Sequence, residues 1–235
     1  MATTKRKPKT SLKSDPLFAN FRPIEGMTDS QDDMIDSFRQ GYNVVAVGSA
    51  GTGKTYVGLA LALEALIEGR VNKIILIRSA VATRDIGFLP GTEAEKMAVY
   101  EQAFSSIVNE LLGRGDAYQV LKQKGVIEFH SSSFLRGNTW KHAIVLGDEI
   151  QNFTPHEMNT IMTRAGTGTT YIMCGDIKQG DLGKTKSGFW LLDTVARHMT
   201  DFFDIITFTR NDIVRSEFVK GWIVACEDHS DFYNT

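Results

Sequence analysis

The stretch "VVAVGSAGTGKTYVGLALALEAL", residues 44–66, decides the fold class of this chain. Residues 44–47 form a short apolar, β-branched run typical of a buried strand, and residues 57–66 are largely apolar, as in a buried helix. Between them, Gly48 to Thr55 have the spacing G-x-x-x-x-G-K-T. The alternative is a glycine-rich turn with a surface lysine. A strand, this loop and a helix in succession instead predict a phosphate-binding loop, or P-loop.

The residue types of this loop suit a nucleoside triphosphate. Glycines allow turns that a Cβ would forbid and bring N–H groups close to phosphate oxygens, and the following helix N-terminus favours a polyanion. Lys54 supplies a charge for the β- and γ-phosphates, and the Thr55 hydroxyl is a ligand for Mg²⁺. We therefore expect ATP and Mg²⁺ as cofactors. The expected nucleotide-binding residues are Gly48, Ser49, Ala50, Gly51, Thr52, Gly53, Lys54, Thr55 and Tyr56.

The composition is ordinary for a soluble globular protein of 235 residues, with 42% hydrophobic and 23% charged residues. No run approaches the roughly 20 apolar residues of a membrane span, so we expect a cytoplasmic protein without a membrane partner. Two cysteines make neither a disulfide framework nor a zinc site. The net charge of −2 gives no overall attraction to nucleic acid. The basic cluster at residues 5–13 is either solvated or a weak contact for a phosphate backbone.

The chain is predicted to contain a basic, flexible N-terminal arm at residues 1–26 and one domain at residues 27–235. Apolar runs predict strands at residues 44–47, 73–77, 126–129, 143–146, 171–173 and, more weakly, 204–207. Helical patterns fall at residues 31–39, 93–112, 155–164 and 187–197. Alternation of strands and helices predicts an α/β fold, with a parallel sheet covered on both faces. Ligands of such sheets bind at the carboxyl ends of the strands.

Two further motifs follow predicted strands. In "AIVLGDEIQN", residues 143–152, Asp148 is expected to bind Mg²⁺ and Glu149 to polarise a water for attack on the γ-phosphate. In "YIMCGDIKQ", residues 171–179, Gln179 is expected to hydrogen-bond the γ-phosphate or the attacking water. The alternatives are a structural acid and a structural turn. Adjacent acids downstream of a P-loop favour the catalytic interpretation.

These motifs, together with "SFLRGNTW" at residues 133–140 and "IRSAVATRDIGFLPGTEAEKM" at residues 77–97, resemble the PhoH-like ATPases. That family is similar to the first RecA-like domain of superfamily 1 helicases, and the resemblance covers residues 31–219. It implies a three-layer RecA-like P-loop NTPase with a mainly parallel central sheet, ATP hydrolysis and single-stranded nucleic acid as partner. It also implies ring-like self-association, for which we expect a hexamer. Ser79 departs from the family's usual proline, and we expect no second RecA-like domain in these 235 residues.

The resemblance also assigns roles to single residues. Gln31 falls at the adenine-reading glutamine, although an ordinary first-turn helix residue is the alternative. Arg78 and Arg136 fall near the nucleic-acid path, with Trp140 close to Arg136 for stacking. Arg215 falls at an arginine expected to act on the γ-phosphate of a neighbouring subunit, with Arg210 as the nearby alternative. For Arg136 the alternative is a surface packing pair with Trp140, and for Arg215 it is a solvated helix-capping or salt-bridging arginine.

The combined expectation is an ATPase that remodels or translocates on single-stranded nucleic acid, RNA preferred over DNA. Its expected catalytic residues are Lys54, Glu149, Gln179 and Arg215. The main alternative is a nucleotide-dependent switch or scaffold without unwinding activity. A P-loop small-molecule kinase fits less well, because Glu149 and Gln179 suit a water nucleophile and no acceptor site with several arginines is visible.

Overall fold

Six strands form one central sheet in the computed structural model, which describes residues 12–79, 93–135, 137, 139–176 and 186–229. The strands are β1 (Asn43–Gly48), β2 (Lys73–Arg78), β3 (Ile127–Ser131), β4 (Ala143–Asp148), β5 (Thr170–Gly175) and β6 (Phe203–Phe208). The α-helices are α1 (Asp29–Gln40), α2 (Lys54–Ile67), α3 (Glu93–Leu112), α4 (Ala117–Gln123), α5 (Pro155–Met162), α6 (Phe189–His198) and α7 (Glu217–Asp228).

The strand order is β3-β2-β4-β5-β1-β6, and every neighbouring pair is parallel. The carboxyl ends of all six strands therefore meet at one edge of the sheet. Arg78 at the end of β2 pairs in register with Asp148 at the end of β4, and Gly48 at the end of β1 pairs with Phe208. Strand β5 lies between the P-loop strand and the strand that carries the acids. The predicted parallel α/β architecture is confirmed.

Helices cover both faces of the sheet, which gives three layers. On one face, alternate residues of the inner strands, for example Ile74 and Leu146, belong to one core cluster with residues of α1 to α4 such as Phe104. On the other face, Ile75 and Val145 belong to a second cluster with residues of α5 and α6. Helix α2 is apolar on nearly all sides because it is buried along its whole length. Its position at the centre of one layer fixes the loop that precedes it.

Local signals set the helix boundaries. Helix α1 is capped by the Thr28 side chain and ends at Gly41, whose φ of 101° is left-handed. The short helix α4 and the helix α7 were not predicted from the sequence. None of the described helices is both long and apolar enough to cross a membrane.

The predicted flexible arm needs a correction, because residues 12–26 pack onto the domain. Leu17 and Phe18 are buried in the first core cluster, with 4% and 5% exposure. Asp15 accepts a hydrogen bond from the Leu17 N–H at 2.9 Å and lies 3.4 Å from the Lys124 ammonium. Pro16 does not disrupt this turn, because it occupies the first position of a short 3₁₀ helix. Burial of the two apolar side chains holds the segment, and residues 1–11 lie outside the described residues.

Candidate functional site

The P-loop between β1 and α2 depends on its glycines. Gly48 has a φ of 132°, and a Cβ there would lie 1.8 Å from the Phe208 carbonyl oxygen of the adjacent strand. Gly51 and Gly53 also have positive φ angles, 72° and 80°. Only glycine adopts these conformations without strain. The glycines of the sequence motif therefore stand at the positions where the backbone conformation of this loop requires them.

The Lys54 side chain folds back into the P-loop. Its ammonium donates to the carbonyl oxygens of Gly48 at 2.9 Å and Ser49 at 2.7 Å, and to the Thr52 hydroxyl at 3.1 Å. Burial lowers the pKa of Lys54, and the nearby carboxylates, among them Asp148, oppose this shift. A buried ammonium held by neutral oxygens gains from an anion, because phosphate oxygens are stronger acceptors. The loop therefore forms a cationic cradle of the kind that binds phosphate.

Thr55 and Asp148 form the contact that joins the loop to β4. The Thr55 hydroxyl donates to Asp148 Oδ1 at 2.7 Å. Burial raises the pKa of Asp148, as does the charge of Glu149, while Arg78 and the Thr55 hydroxyl lower it. A hydroxyl and a carboxylate beside a phosphate cradle are the oxygen ligands that Mg²⁺ uses in nucleotide sites. These two residues therefore fit the predicted metal.

Glu149 follows the end of β4 in a left-handed conformation, with φ 53° and ψ 44°. Such a conformation is uncommon for a glutamate, and strained backbone of this kind clusters at functional sites. Gln151 holds the carboxylate in place, because its Nε2 donates to Glu149 Oε2 while its Oε1 accepts from the Asp176 N–H at 3.0 Å. Gln151 is only 2% exposed. Its bridging role was missed from the sequence, where the only signal was its place two residues after the acids.

Arg78 lies against the two acids. One guanidinium nitrogen is 3.8 Å from Asp148 Oδ2, and another is 3.6 Å from Glu149 Oε1. The guanidinium also lies over the ring of Tyr100, 5.7 Å from its centroid. The sequence predicted a contact with nucleic acid for this arginine, which stays a prediction. The structure adds that Arg78 is an ionic partner of the expected metal ligand and the expected base.

Gln31 contacts the P-loop through its side chain. Its Nε2 donates to the Thr52 carbonyl oxygen at 2.9 Å, and its Oε1 accepts from the Met27 N–H at 2.9 Å. Gln31 is 3% exposed, and a Cβ on Gly53 would lie 2.8 Å from its Nε2. The side chain therefore supports the loop from behind. Its predicted contact with adenine stays a prediction.

Arg215 packs on the P-loop of its own chain. The Val214 N–H donates to the Gly51 carbonyl oxygen at 3.1 Å. A Cβ on Gly51 would lie 3.0 Å from Arg215 Cγ and 3.1 Å from Ile223 Cδ1 of α7. Arg210, the nearby alternative, lies 2.9 Å from Asp228 Oδ1. The Arg215 side chain thus packs against the P-loop of its own chain. Its predicted action on a neighbouring subunit stays a prediction.

Two predicted site residues, Gln179 and Arg136, lie outside the described residues. Trp140, which was expected near Arg136, is described and lies against Arg164, whose guanidinium carbon is 5.9 Å from the ring centroid. The site that the structure does describe therefore consists of the P-loop, the acid pair, Arg78 and Gln151.

A comparison with protein families identifies the chain. The family model described as PhoH-like protein matches residues 23–227. The chain belongs to the PhoH-like family. The family predicted from the sequence motifs is confirmed.

Relatives of this PhoH-like chain cover most of its length. A PhoH-like protein of Bacillus subtilis (strain 168) is 36% identical over 212 residues, which is 88% of this chain and 65% of that protein. A PhoH-like protein of Mycobacterium leprae (strain TN) is 31% identical over 98% of this chain and 66% of its own length. The protein PhoH of Escherichia coli (strain K12) is 36% identical over 83% of this chain and 55% of its own length. The chain thus spans a little over half to about two thirds of these relatives.

Among solved structures, the ATPase core of a Sulfolobus solfataricus SWI2/SNF2 protein in complex with double-stranded DNA aligns with the PhoH-like chain. The TM-score is 0.47 and the sequence identity is 11%. The alignment covers 80% of this chain and 46% of that one.

Proposed function

We propose that this PhoH-like chain binds and hydrolyses ATP with Mg²⁺ and uses the hydrolysis to remodel or move along single-stranded nucleic acid, RNA preferred. The observation that carries the ATPase part is the contact between Thr55 and Asp148 at 2.7 Å, with Glu149 next in the chain. It brings the P-loop hydroxyl, a carboxylate and a second carboxylate together at the carboxyl edge of a parallel sheet, where nucleotides bind in such folds.

Each residue of the site has a role in this proposal. Lys54 exchanges its bonds to the loop oxygens for phosphate oxygens and holds the γ-phosphate. Thr55 and Asp148 hold Mg²⁺, which when bound neutralises charge on the phosphates and orients them. Glu149 accepts a proton from the attacking water, because its carboxylate is anchored by Gln151 beside the metal ligands. Gln179 senses the γ-phosphate from the segment that follows Asp176.

The nucleic-acid part of the proposal is supported by the family resemblance of the segments that contain Arg78 and Arg136. Arg78 connects these segments to the chemistry, because it lies within 3.8 Å of both acids. A phosphate of the nucleic-acid strand that binds Arg78 would change the local charge at Glu149, the proposed general base, and at Asp148, the proposed metal ligand. Self-association into a ring, with a hexamer as the expected form, completes the proposal. Negative-stain images of the purified chain, with its mass in solution, test that part.

The deciding experiment is ATP turnover measured with and without single-stranded RNA, and separately with single-stranded DNA. We expect Mg²⁺-dependent turnover that the strand stimulates severalfold, with RNA more effective than DNA. Lys54→Ala is the control for contaminating activity, and we expect at least about a hundredfold loss because the phosphates lose their buried cation. An ATP turnover rate that is the same with and without the strand would favour the nucleotide-dependent switch. Turnover only in the presence of a small phosphate acceptor would favour the kinase.

A further inference from the structure

The edge of the sheet at β3 carries a polar cavity that the nucleotide site does not use. Glu128 and His130 of β3 pair in register with Ile75 and Ile77 of β2, so they lie on the same face of the sheet as the second core cluster. That face is apolar at Ile75 and Ile77 of β2 and along β4, but polar at Glu128 and His130 of β3. A cavity of about 320 Å³ lies there, between β3 and the residues that lead into β4.

The cavity is more cationic than anionic. Lys73, Lys141 and Arg164 line it, and Glu128 is the carboxylate among its described lining residues. Glu128 is already engaged, because it pairs with Lys73 and its Oε2 lies 3.2 Å from His130 Nε2. Within the described part of the chain, neither Lys141 nor Arg164 has a carboxylate at ion-pair distance. An anionic ligand would therefore meet two cations that no described protein carboxylate neutralises.

Arg164 and Trp140 form one wall of this cavity. The guanidinium of Arg164 donates to the carbonyl oxygens of Gly137 at 2.6 Å and Leu135 at 2.8 Å, and it lies 5.9 Å from the Trp140 ring centroid. Its Nε is buried and has no hydrogen-bond partner among the described residues. The backbone N–H of Trp140 donates to the Arg164 carbonyl oxygen at 2.9 Å, which holds the two residues side by side. An aromatic ring next to an unneutralised cation suits a flat, anionic ligand.

We propose that this cavity binds one nucleoside phosphate unit of a single strand, with the base against Trp140 and the phosphate at Lys141. Its volume lies at the lower end of the range of small-ligand pockets, which suits a single nucleotide unit. Stacking on an aromatic ring and a nearby cation together form the common mode of single-strand binding without sequence preference. A free mononucleotide shares this chemistry, and the experiment separates the two sources. The proposal rests on the proposed function for the presence of a strand.

The first experiment reads the cavity directly through Trp140 fluorescence. The chain has three tryptophans, and Trp190 and Trp222 are 37% and 62% exposed, so replacing both by phenylalanine leaves Trp140 as the only one. Lys54→Ala is added so that free nucleotide binds weakly at the P-loop. This variant is titrated with a single-stranded RNA of about 12 nucleotides and with AMP. We expect saturable quenching by the strand at a concentration at least tenfold below that needed for AMP.

The second experiment measures strand affinity by anisotropy in the otherwise unchanged chain. We expect Trp140→Leu to weaken binding by about tenfold, because the base loses its stacking surface. Lys141→Gln should weaken it less and reduce the slope of log affinity against log salt by about one, as loss of one phosphate contact predicts. The matched controls are Trp222→Leu, which removes an exposed tryptophan, and Lys122→Gln, which removes a lysine paired with Glu101 in the helix layer on the other face of the sheet. Both variants should bind the strand like the parent chain.

Equal quenching by AMP and by the strand at the same nucleotide concentration would assign the cavity to a free nucleotide and overturn the strand as its ligand. The absence of quenching by either, with unchanged strand affinity in Trp140→Leu and Lys141→Gln, would overturn the site. If strand-stimulated ATP turnover persists in that case, only the cavity proposal fails. If the parent chain neither binds nor responds to any strand, the nucleic-acid part of the proposed function fails, and quenching by AMP still tests the cavity.

Discussion

The guanidinium of Arg78 lies 3.6 Å from the carboxylate of Glu149 and, through its other terminal nitrogen, 3.8 Å from that of Asp148. Arg78 ends β2, and its register partner is Asp148 at the end of β4. The arginine therefore offers positive charge to the same carboxylates that are proposed to hold Mg²⁺ and to activate water. A strand phosphate would compete with these acids for the guanidinium.

We therefore expect nucleotide and strand to bind cooperatively through Arg78. When Thr55 and Asp148 hold Mg²⁺, Asp148 would no longer need the Arg78 guanidinium as its counter-charge, and the guanidinium would be available to a strand phosphate. A non-hydrolysable ATP analogue with Mg²⁺ should raise strand affinity by about 5- to 150-fold, the usual range of such coupling. Arg78→Ala should reduce that factor to near one. Anisotropy of a labelled strand with and without the analogue measures it.

The matched control for this experiment is Arg197→Ala, which removes a surface arginine paired with Asp193 within α6. This variant should keep the coupling of the parent chain. Parental coupling in Arg78→Ala as well would show that the strand does not communicate with the acids through this arginine.

Glu149→Gln should separate nucleotide binding from hydrolysis. The amide keeps the shape of the side chain and can still accept the hydrogen bond from Gln151, but it cannot take a proton from water. We expect ATP to bind with Mg²⁺ while turnover falls by about 10²- to 10⁴-fold. Binding is measured with a fluorescent analogue and turnover by phosphate release. A variant that loses Mg²⁺ affinity but keeps its rate would instead identify Glu149 as the metal ligand.

Asp148→Asn should stabilise the chain while it weakens Mg²⁺ binding. Burial and the adjacent Glu149 raise the pKa of Asp148, so its charged form costs folding free energy at neutral pH. Asparagine keeps the oxygen that accepts from Thr55 and removes the charge. We expect the Tm in a chelator to rise by about 2–4 °C, the shift that about 1 kcal/mol produces in a chain of this size.

Thermal unfolding of Asp148→Asn with and without Mg²⁺ tests both the higher stability and the weaker Mg²⁺ binding. The control is Asp201→Asn, at an exposed position. Mg²⁺ and nucleotide should raise the Tm of Asp148→Asn by less than they raise the Tm of the parent chain. A lower Tm for Asp148→Asn in chelator would mean that the pairing with Arg78 outweighs the cost of burial.

Gln151 should affect turnover more than nucleotide affinity. Gln151→Leu removes both side-chain hydrogen bonds, to the Glu149 carboxylate and from the Asp176 N–H, at similar volume. We expect kcat to fall by about 10- to 100-fold, as for other residues that orient a reacting group, with little change in KM. Gln151→Glu should be worse, because it places a second carboxylate beside Glu149. If turnover per total protein falls only in proportion to the fraction of folded protein, the folded protein turns over normally. Gln151 would then be structural only.

Arg215 should act on the nucleotide of its own chain, because its side chain packs on Gly51 of that chain. We expect Arg215→Ala to lower turnover at least about tenfold, as loss of a cation near the phosphates does. Arg210→Ala should leave turnover near that of the parent, because Arg210 pairs with Asp228 and Glu227.

Mixing Arg215→Ala with Lys54→Ala subunits decides between action in the same chain and action across subunits. Action in the same chain predicts a mixture no more active than its separate parts, in a preparation shown to co-assemble. Recovered activity in the mixture, and activity per subunit that rises with protein concentration, would instead establish the intersubunit arginine predicted from the sequence.

The strands and the P-loop were predictable because their signals are local. Short β-branched runs mark the central strands within a few residues, and the glycine spacing marks a loop whose φ angles only glycine tolerates. Each motif follows a strand, and parallel strands bring their carboxyl ends to one edge. The sequence therefore predicted that Thr55 and Asp148 lie at the same edge of the sheet, and the structure supplied their 2.7 Å contact. Helix α4 was missed because its seven residues are too few for a clear period, and α7 because none of its residues is buried in its own domain.

Only the tertiary structure decided which side chains meet across that edge. Gln151 reaches Asp176 because β5 lies beside β4, Arg78 reaches both acids because β2 lies on the other side of β4, and the segment with Arg215 covers Gly51 because β6 lies beside β1. Strand order is set by how whole helical layers bury their apolar faces, and no local pattern in the sequence records it. The same reason applies to residues 12–26, whose apolar side chains are few and pack on a core that α2 and its neighbours build.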